Sequence, residues 1–356
     1  MEAFNDIFED CTSLGTKIPK DEYLEEGKHI VIDQGQNIVA GYTNLEDGLF
    51  VDVPAIIFGD HTRIIKYVDK PFFLGADGVK LLKAKKENAN YKYLYYALKN
   101  ARIPDTGYNR HFKWLKEVTL QYPSPEKQKE VVQILDKLSS IIEARTKEIA
   151  FLDELIKARF VEMFGSIKEE KFLEDISELV TVGIANSATH AYAESGIPML
   201  RNQNIKENHL DDTDLIYIKP EFAAKYESKK LKENDIIAMR TGYPGIACLV
   251  PKKYEGCQTF TTLIVRLKAE NNPRYVCSYI NSDLGKSFIE AGKVGVAQQN
   301  FGAKSLAKMP IKIAPKELQD EYADFVNQVD KSKVVVQKAL NETQTLFNSL
   351  MQKYFG

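Results

Sequence analysis

An internal repeat relates the middle of this chain to its last residues. The stretch FVEMFG ends at Gly165 and the stretch MQKYFG ends at Gly356, so 191 positions separate the two. With that offset held, identical residues recur without a gap back to Asn109 and Asn300. The identical pairs in between are Leu155 and Leu346, Lys147 and Lys338, Glu130 and Glu321, Gln128 and Gln319, Glu126 and Glu317, Leu115 and Leu306, and Lys113 and Lys304. An ungapped match of this length predicts two copies of one structural plan.

Each copy ends in a segment with the pattern of a long helix. Residues 126–164 and 316–355 contain neither glycine nor proline, and both follow a proline-bearing stretch, YPSPE or IAPKE, which suits a first helical turn. Apolar residues alternate at spacings of four and three along both segments, which is the signature of a coiled coil. Arg145 and Arg159 interrupt the first series, and Lys333 and Thr343 interrupt the second. At about 1.5 Å per residue, each helix would be on the order of 60 Å long.

We expect these two helices to pair with each other as one antiparallel coiled coil, with the preceding segments at opposite ends. A helix of that length is too long to be covered by the residues before it, and its own repeat is the comparable partner. The alternative is that each is an amphipathic helix that covers the core of its own half. The paired arrangement predicts an α+β (mixed α/β) protein with two modules, a coiled coil of two long helices and a pseudo-two-fold internal repeat.

The segments before the helices share an order but differ in sequence. Strand-like runs such as KHIVID, PAIIFG and RIIKYV in the first, and DIIAMR and TTLIVRL in the second, are separated by glycine, proline and asparagine. Both segments end with Leu-Lys-Ala, a short helix, an asparagine and a short strand. We therefore predict modules at residues 1–122 and 166–313, and helices at 123–165 and 314–356. A common scaffold with different front surfaces indicates two related modules that recognise different things.

Composition restricts the class of protein. A hydrophobic content of 44% and a net charge of −2 indicate a globular chain that does not coat polyanions indiscriminately. The N-terminus is not a signal peptide, and no window has the apolar length of a membrane span. The cysteines are far apart, form no CxxC pair and are predicted to be buried thiols of a cytoplasmic protein. They are Cys11, Cys248, Cys257 and Cys277.

The order module, helix, module, helix resembles the specificity subunit of type I restriction–modification systems, and the resemblance covers the whole chain. A P-x-x-E-x-Q opening of the helices adds to it, although the second copy has its proline one place later. The residues are Pro123, Glu126 and Gln128, and then Ala314, Pro315, Glu317 and Gln319. The resemblance implies two target recognition domains, each binding half of an interrupted sequence of double-stranded DNA. It also implies that the paired helices space these domains and dock two methyltransferase subunits and the restriction, translocating subunits.

The resemblance further implies a chain without catalysis that directs adenine methylation and restriction by its partners. S-adenosylmethionine, ATP and Mg²⁺ would then be bound by those partners, and the chain would hold no cofactor or metal. The residues agree with this expectation. The LGKS stretch at 284–287 fails as a phosphate-binding loop because Ile280 stands where glycine is needed. SLAK at 305–308 and GKVG at 292–295 are short isolated matches, and the five histidines are dispersed.

Candidate DNA contacts are cationic, amide and hydroxyl side chains on loops between strand-like runs. Arginine pairs well with guanine edges and asparagine or glutamine with adenine, so RNQN and QQN are predicted adenine-reading segments. In the first module the candidates are His61, Thr62, Arg63, Lys66, Tyr108, Asn109, Arg110, His111 and Lys113. In the second module they are Arg201, Asn202, Gln203, Asn204, Arg240, Thr241, Tyr243, Gln298, Gln299, Asn300 and Lys304.

Two alternatives remain open for these residues. Asparagine and glycine at such places also shape turns, and charged side chains are often simply solvated. Asn109 and Asn300 occupy equivalent positions of the repeat, which favours a scaffold or backbone role. Lys113 and Lys304 are equivalent too, and we interpret them as phosphate contacts or as packing neighbours of a helix.

A different function would also use long paired helices. A coiled-coil adaptor or clamp arm, whose end modules bind protein, would explain the helices and the near-neutral charge. It explains less well why two modules share a scaffold and differ at their front surfaces. Sequence-specific recognition of DNA is therefore the primary hypothesis.

Overall fold

The computed structural model describes residues 1–75, 77–107, 109–185, 189–293 and 300–356. The chain divides into two compact units. Unit 1 comprises Met1–Lys147 and Val336–Gly356, and unit 2 comprises Glu148–Val335. Each unit therefore contains one module and a segment of both long helices.

The predicted long helices are α4 and α9, and each has 40 residues. The remaining α-helices are short and belong to the modules. In chain order the helices are α1 (Phe4–Ile7), α2 (Tyr91–Lys99), α3 (Phe112–Leu115), α4 (Pro125–Phe164), α5 (Pro220–Ala223), α6 (Pro273–Asn281), α7 (Asp283–Ala291), α8 (Ala303–Ala307) and α9 (Lys316–Phe355). No helix in the described ranges is both long enough and apolar enough to cross a bilayer.

Unit 1 contains a four-stranded antiparallel sheet in the order β2-β8-β5-β6, a three-stranded sheet in the order β4-β3-β7, and the pair β1-β9. In the three-stranded sheet β3 is parallel to β7 and antiparallel to β4. The strands are β1 (Glu2–Ala3), β2 (Phe8–Asp10), β3 (His29–Ile32), β4 (Gly41–Thr43), β5 (Ala55–Gly59), β6 (Ile65–Val68), β7 (Phe72–Leu74), β8 (Val79–Ala84) and β9 (Thr119–Leu120).

Unit 2 repeats this plan with additions. Its antiparallel sheet has the order β11-β20-β17-β18, its second sheet has the order β12-β16-β13-β19, and β10-β21 and β14-β15 form pairs. Here β13 is parallel to β19 and antiparallel to β16. The strands are β10 (Glu170–Phe172), β11 (Ser177–Val182), β12 (Tyr192–Ala193), β13 (Ile197–Leu200), β14 (Ile205–Lys206), β15 (His209–Leu210), β16 (Ile216–Ile218), β17 (Ile236–Ala238), β18 (Ala247–Leu249), β19 (Gln258–Thr259), β20 (Leu263–Leu267) and β21 (Pro310–Lys312).

The helix segments within unit 1 pack against its module. Val131 and Leu135 of α4 share one apolar cluster with Phe347 and Met351 of α9. The ammonium of Lys127, near the start of α4, lies 5.8 Å from the ring of Tyr354, near the end of α9. The start of one helix therefore lies beside the end of the other, which is the predicted antiparallel arrangement.

The helix segments within unit 2 are antiparallel in the same way. Phe160 of α4 contacts Tyr322 of α9 with ring centroids 5.5 Å apart. Two of the charged residues that interrupt the apolar series form ion pairs between the helices. The guanidinium of Arg159 lies 3.1 Å from Glu321, and the ammonium of Lys333 lies 2.5 Å from Asp153. Pairing lets these charges remain beside the apolar seam without leaving a bare buried ion.

Equivalent hydrogen bonds order the stretch that leads from each module into its long helix. The hydroxyl of Tyr93 donates to the carbonyl of Gln121 at 3.0 Å, and that of Tyr275 donates to the carbonyl of Lys312 at 2.6 Å. One buried glutamine amide per helix donates to a main-chain carbonyl just before that helix begins. Gln128 donates to Pro123 O at 2.9 Å, and Gln319 donates to Ala314 O at 2.8 Å. The glutamine of the P-x-x-E-x-Q opening thus closes the turn from which each helix starts.

Candidate nucleic-acid interface

Three predicted segments of unit 2 lie together. They are residues 201–204 after β13, residues 239–243 after β17, and Asn300. The Asn202 side-chain amide donates to the Thr241 hydroxyl at 2.7 Å, and the Arg240 Nε donates to Asn300 Oδ1 at 3.0 Å. Thr241 and Asn300 also form an antiparallel bridge. Loops that are distant in sequence therefore form one continuous polar surface.

The turn at residues 201–204 is held from inside by Asn204. Asn204 is buried; its Oδ1 accepts from the Arg201 N–H at 2.9 Å, and its amide donates to the carbonyls of Asp211 and Asp214 at 2.9 and 3.2 Å. Since Asn204 faces inward, its role in this structure is to shape the turn, and the prediction that it contacts DNA is revised accordingly.

Arg201 and Gln203 both bind the carboxylate of Asp214. The Arg201 guanidinium lies 3.1 Å from Asp214 Oδ2, and the Gln203 amide hydrogen-bonds to the same oxygen. The Arg201 side chain is largely covered, whereas Gln203 is exposed. Gln203 is therefore better placed than Arg201 to meet a base.

The turn between β17 and β18 presents Arg240 and Tyr243. Tyr243 is 74% exposed at the tip of the turn. Its neighbours Gly242 and Gly245 have φ values of 81° and 95°, a conformation that favours glycine. Arg240 uses its Nε for Asn300. Its terminal guanidinium nitrogens make no hydrogen bond within the described ranges, so they are available to a base or a phosphate.

Unit 1 forms the same assembly from different residues. Its three segments are residues 33–37 after β3, residues 60–64 after β5, and residues 103–107 and 109–111 before α3. The Gln34 Oε1 accepts from the His61 backbone N–H at 3.1 Å, and the Gln34 carbonyl accepts from the Thr62 hydroxyl at 2.7 Å. Arg63 reaches the third segment through a 2.7 Å ion pair with Asp105.

Two predicted contacts of unit 1 are buried instead. His111 is 0% exposed; its Nδ1 donates to the carbonyl of Asp60 at 3.0 Å. Lys66 is 1% exposed; its ammonium donates to Asn37 O at 2.5 Å and lies 3.5 Å from Asp33. Burial lowers the pKa of Lys66, and the charge of Asp33 opposes that shift. Both side chains support loops from within, because neither presents a polar atom to solvent where DNA would lie.

The other predicted residues are exposed or lie outside the described ranges. Asn109 and Arg110 are exposed before α3, Lys113 is exposed on α3, and Lys304 is exposed on α8. The Asn109 amide donates to the carbonyl of Thr106. Tyr108, Gln298 and Gln299 lie outside the residues that the structure describes.

Sequence reasoning missed the segment that follows β3. Gln34, Gln36 and Asn37 occupy the place that Asn202, Gln203 and Asn204 occupy after β13, since both strands join a parallel and an antiparallel neighbour in equivalent sheets. A signal was present, because the tripeptide QNI occurs at 36–38 and again at 203–205. These copies are 167 positions apart, so the ungapped offset of 191 does not align them.

Comparisons with known proteins agree with this architecture. The family described as "Type I restriction modification DNA specificity domain" matches residues 3–152 and 167–343. A solved type I restriction–modification S subunit from M. genitalium is similar over 100% of this chain and 95% of its own, with 16% identity and a TM-score of 0.59. A search of curated proteins gave no match.

A second solved structure has the same fold. It belongs to a study of complex assembly and conformational transition of the type I restriction–modification system, and it is similar over 99% of this chain and 95% of its own, with 14% identity and a TM-score of 0.56. The two family matches cover both modules and most of both long helices. The chain therefore belongs to the type I restriction–modification DNA specificity family, and it is a specificity subunit that recognises DNA sequence.

Proposed function

We propose that the chain directs a type I restriction–modification complex to a bipartite DNA site, with each unit recognising one half of that site. The observation that carries this proposal is the repeated three-loop assembly. In unit 1 it is built around Gln34 and Arg63, and in unit 2 around Asn202 and Arg240. Equivalent loops with different side chains are what one scaffold needs to recognise two different base sequences.

The exposed side chains suit two kinds of contact. Arg240 has the forked geometry that pairs with guanine, and Gln203 has the amide that pairs with adenine. Lys113 and Lys304 are exposed ammonium groups beside these surfaces, where they would hold phosphates. Phosphate contacts fix the register of the protein on the duplex, and base contacts supply the specificity.

Methylation of adenine and restriction belong, in this proposal, to partner subunits in the cytoplasm. Family membership supports a non-catalytic role for this chain. S-adenosylmethionine, ATP and Mg²⁺ would be bound by the methyltransferase and the restriction subunits. No observation in the described ranges favours the alternative of a protein-binding adaptor.

The long helices offer two equivalent docking surfaces for two methyltransferase subunits. Leu155 in unit 2 and Leu346 in unit 1 occupy the same position of the repeat, and they are 47% and 49% exposed. An apolar side chain that is repeated yet unburied is better explained by a repeated partner than by packing within the chain. We place one methyltransferase subunit at each leucine.

Coexpression with the methyltransferase and sequencing of the methylated DNA tests the proposal. The expected result is one interrupted motif that depends on this chain. Methylation at the same sites without the chain would contradict the proposal, as would a single uninterrupted motif.

A further inference from the structure

The segment at residues 33–37 of unit 1 forms a shaped turn at the edge of the three-loop assembly. The carboxylate of Asp33 accepts from the Gly35 N–H at 2.7 Å, which bends the chain immediately after β3. A Cβ on Gly35 would lie 3.0 Å from that carboxylate oxygen, so the bend leaves little room for a side chain there. Two amide residues, Gln36 and Asn37, follow at the outer side of the bend.

Buried Lys66 supports this turn from the interior of unit 1. Its buried ammonium donates to the carbonyl of Asn37 and faces the carboxylate of Asp33. Gln34 holds the other side of the turn. Its Oε1 accepts from the His61 N–H, and its amide donates to Asp77 O at 3.1 Å. The backbone of the turn is therefore fixed at both sides before any DNA arrives.

The side chains of Gln36 and Asn37 are both exposed at this turn, but the main chain of Asn37 is bound to Lys66, which leaves Gln36 as the candidate for a base contact. The Gln36 amide makes no hydrogen bond to the described residues, and it lies in the outward part of the turn. The neighbouring carboxylates are occupied, since Asp33 faces Lys66, Asp105 binds Arg63 and Asp77 binds Lys17. A neutral amide among paired charges can approach DNA without strong repulsion from those acids.

The equivalent turn of unit 2 is built in a related way, although Asn204 is buried where Asn37 is exposed, and the Gln203 amide hydrogen-bonds to Asp214. Asn202 fastens it to the β17–β18 turn, Asn204 is buried beneath it, and Gln203 is exposed between them. Gln36 and Gln203 are each followed by asparagine and isoleucine. The two glutamines therefore share both a sequence context and a structural position.

We propose that Gln36 is a specificity-determining residue of unit 1 and that it contacts an adenine edge in the major groove, with Lys66 as the residue that positions it. This inference rests on the proposed recognition of one half-site by each unit. A glutamine amide both accepts and donates, which matches the N6 and N7 groups of adenine. Lys66 touches no base and acts through the carbonyl of Asn37.

The test compares Gln36→Ala with the matched variant Gln203→Ala in the complex with methyltransferase subunits. A pool of duplexes randomised at both half-sites serves as substrate, and methylated molecules are sequenced. Gln36→Ala should reduce the preference for one adenine in the half-site of unit 1 by about 5- to 150-fold, with the other half-site unchanged. Gln203→Ala should do the reverse. Gln36→Glu should shift the preference at that position towards cytosine, because a carboxylate accepts from the cytosine amino group.

Two outcomes separate the inference from the proposed function. If the wild-type complex gives a bipartite motif that Gln36→Ala and Gln36→Glu leave unaltered, the role of Gln36 is refuted and the proposed function stands. If the wild-type complex gives no bipartite motif, the proposed function itself fails.

Lys66→Met tests the positioning role. It should broaden the preference at the position assigned to Gln36 and leave the half-site of unit 2 intact. A lysine that serves only stability would lower Tm and reduce methylation at all sites equally, and that result would remove Lys66 from the inference.

Discussion

Replacement of Arg240 by alanine tests the proposed DNA surface of unit 2 at a single residue. The Nε of Arg240 is held by Asn300 Oδ1 at 3.0 Å, and its backbone carbonyl accepts from the Phe301 N–H at 3.0 Å. The Nε of the side chain is therefore held before binding, and the terminal nitrogens make no hydrogen bond to the described residues. A preoriented guanidinium that meets a guanine loses little conformational entropy when it forms two hydrogen bonds.

The expected loss follows from that geometry. One bidentate contact to a guanine contributes about 1–3 kcal/mol of discrimination, which corresponds to about 5- to 150-fold in relative binding. Loss of the Asn300 hydrogen bond adds about 1 kcal/mol of local destabilisation. The Asn300→Ala variant isolates this second effect, because it keeps the arginine and removes only its support.

The assay is fluorescence anisotropy of the complex with its methyltransferase subunits on duplexes that differ at single base pairs. Arg240→Ala should abolish the preference at one position of one half-site, and Arg240→Lys should not restore it, because an ammonium lacks the fork. Lys304→Ala is the matched control for a phosphate contact. It should weaken binding to all sequences and lower the slope of log K against log salt by about 1.

The result that would refute this reasoning is equally specific. If Arg240→Ala weakened binding uniformly and lowered the salt slope while Arg240→Lys rescued it, Arg240 would be a phosphate contact. The preorientation by Asn300 would then serve affinity rather than sequence recognition.

Further predictions concern the chain alone, its stability and its spacing. The purified chain should neither methylate nor cleave DNA, and light scattering should find two methyltransferase subunits bound to it; activity of the chain alone would contradict this. Asp235→Ala should lower the free energy of unfolding by about 3–5 kcal/mol, as measured by urea denaturation, because buried Asp235 holds Arg266 in two hydrogen bonds of 2.8 and 2.7 Å. The matched double variant Asp235→Ala/Arg266→Met should recover part of this loss, and no recovery would argue against an unpaired charge as its cause. The long helices are also expected to set the distance between half-sites. One heptad inserted in each helix, after residues 147 and 335, should lengthen the pair by about 10 Å and add roughly three unread base pairs to the recognised site. An unchanged motif would rule this out.

The insertion belongs in the middle of the helices for a structural reason. The sequence alone suggests a position after Phe164, beyond the last residue of the apolar series. Phe164 is 1% exposed and packs on Tyr275 with ring centroids 4.5 Å apart. An insert there would disturb the core of unit 2 before it changed any spacing.

The long helices were predictable because their signal is local. Segments 126–164 and 316–355 carry the four-three apolar spacing along their whole length, and the observed helices are Pro125–Phe164 and Lys316–Phe355. The antiparallel pairing also followed, since each helix needed a long apolar partner. Periodicity within one element predicts each helix, and the pairing follows from the presence of a second helix of the same length.

The burial of polar side chains was not predictable, because it depends on contacts between distant residues. Lys66 is covered through Asn37, 29 residues away, and His111 through Asp60, 51 residues away. His111 stands in a polar stretch that favours an exposed loop, and Lys66 is the one charged residue of strand β6. The segment at 33–37 was missed for a related reason, since unit 2 carries the additional pair β14-β15 after its turn and the spacing of equivalent residues changes along the module.

The paired hydrogen bonds at the start of the long helices have an evolutionary consequence. Tyr93 with Gln128, and Tyr275 with Gln319, bind main-chain carbonyls, which every residue type supplies. These hydrogen bonds order the stretch between module and helix, and they do not depend on which bases the module recognises. Genetic exchange at these junctions could replace one module with that of a relative that forms the same main-chain hydrogen bonds. New combinations of half-sites would then arise by recombination in a single step, without gradual change of individual contacts.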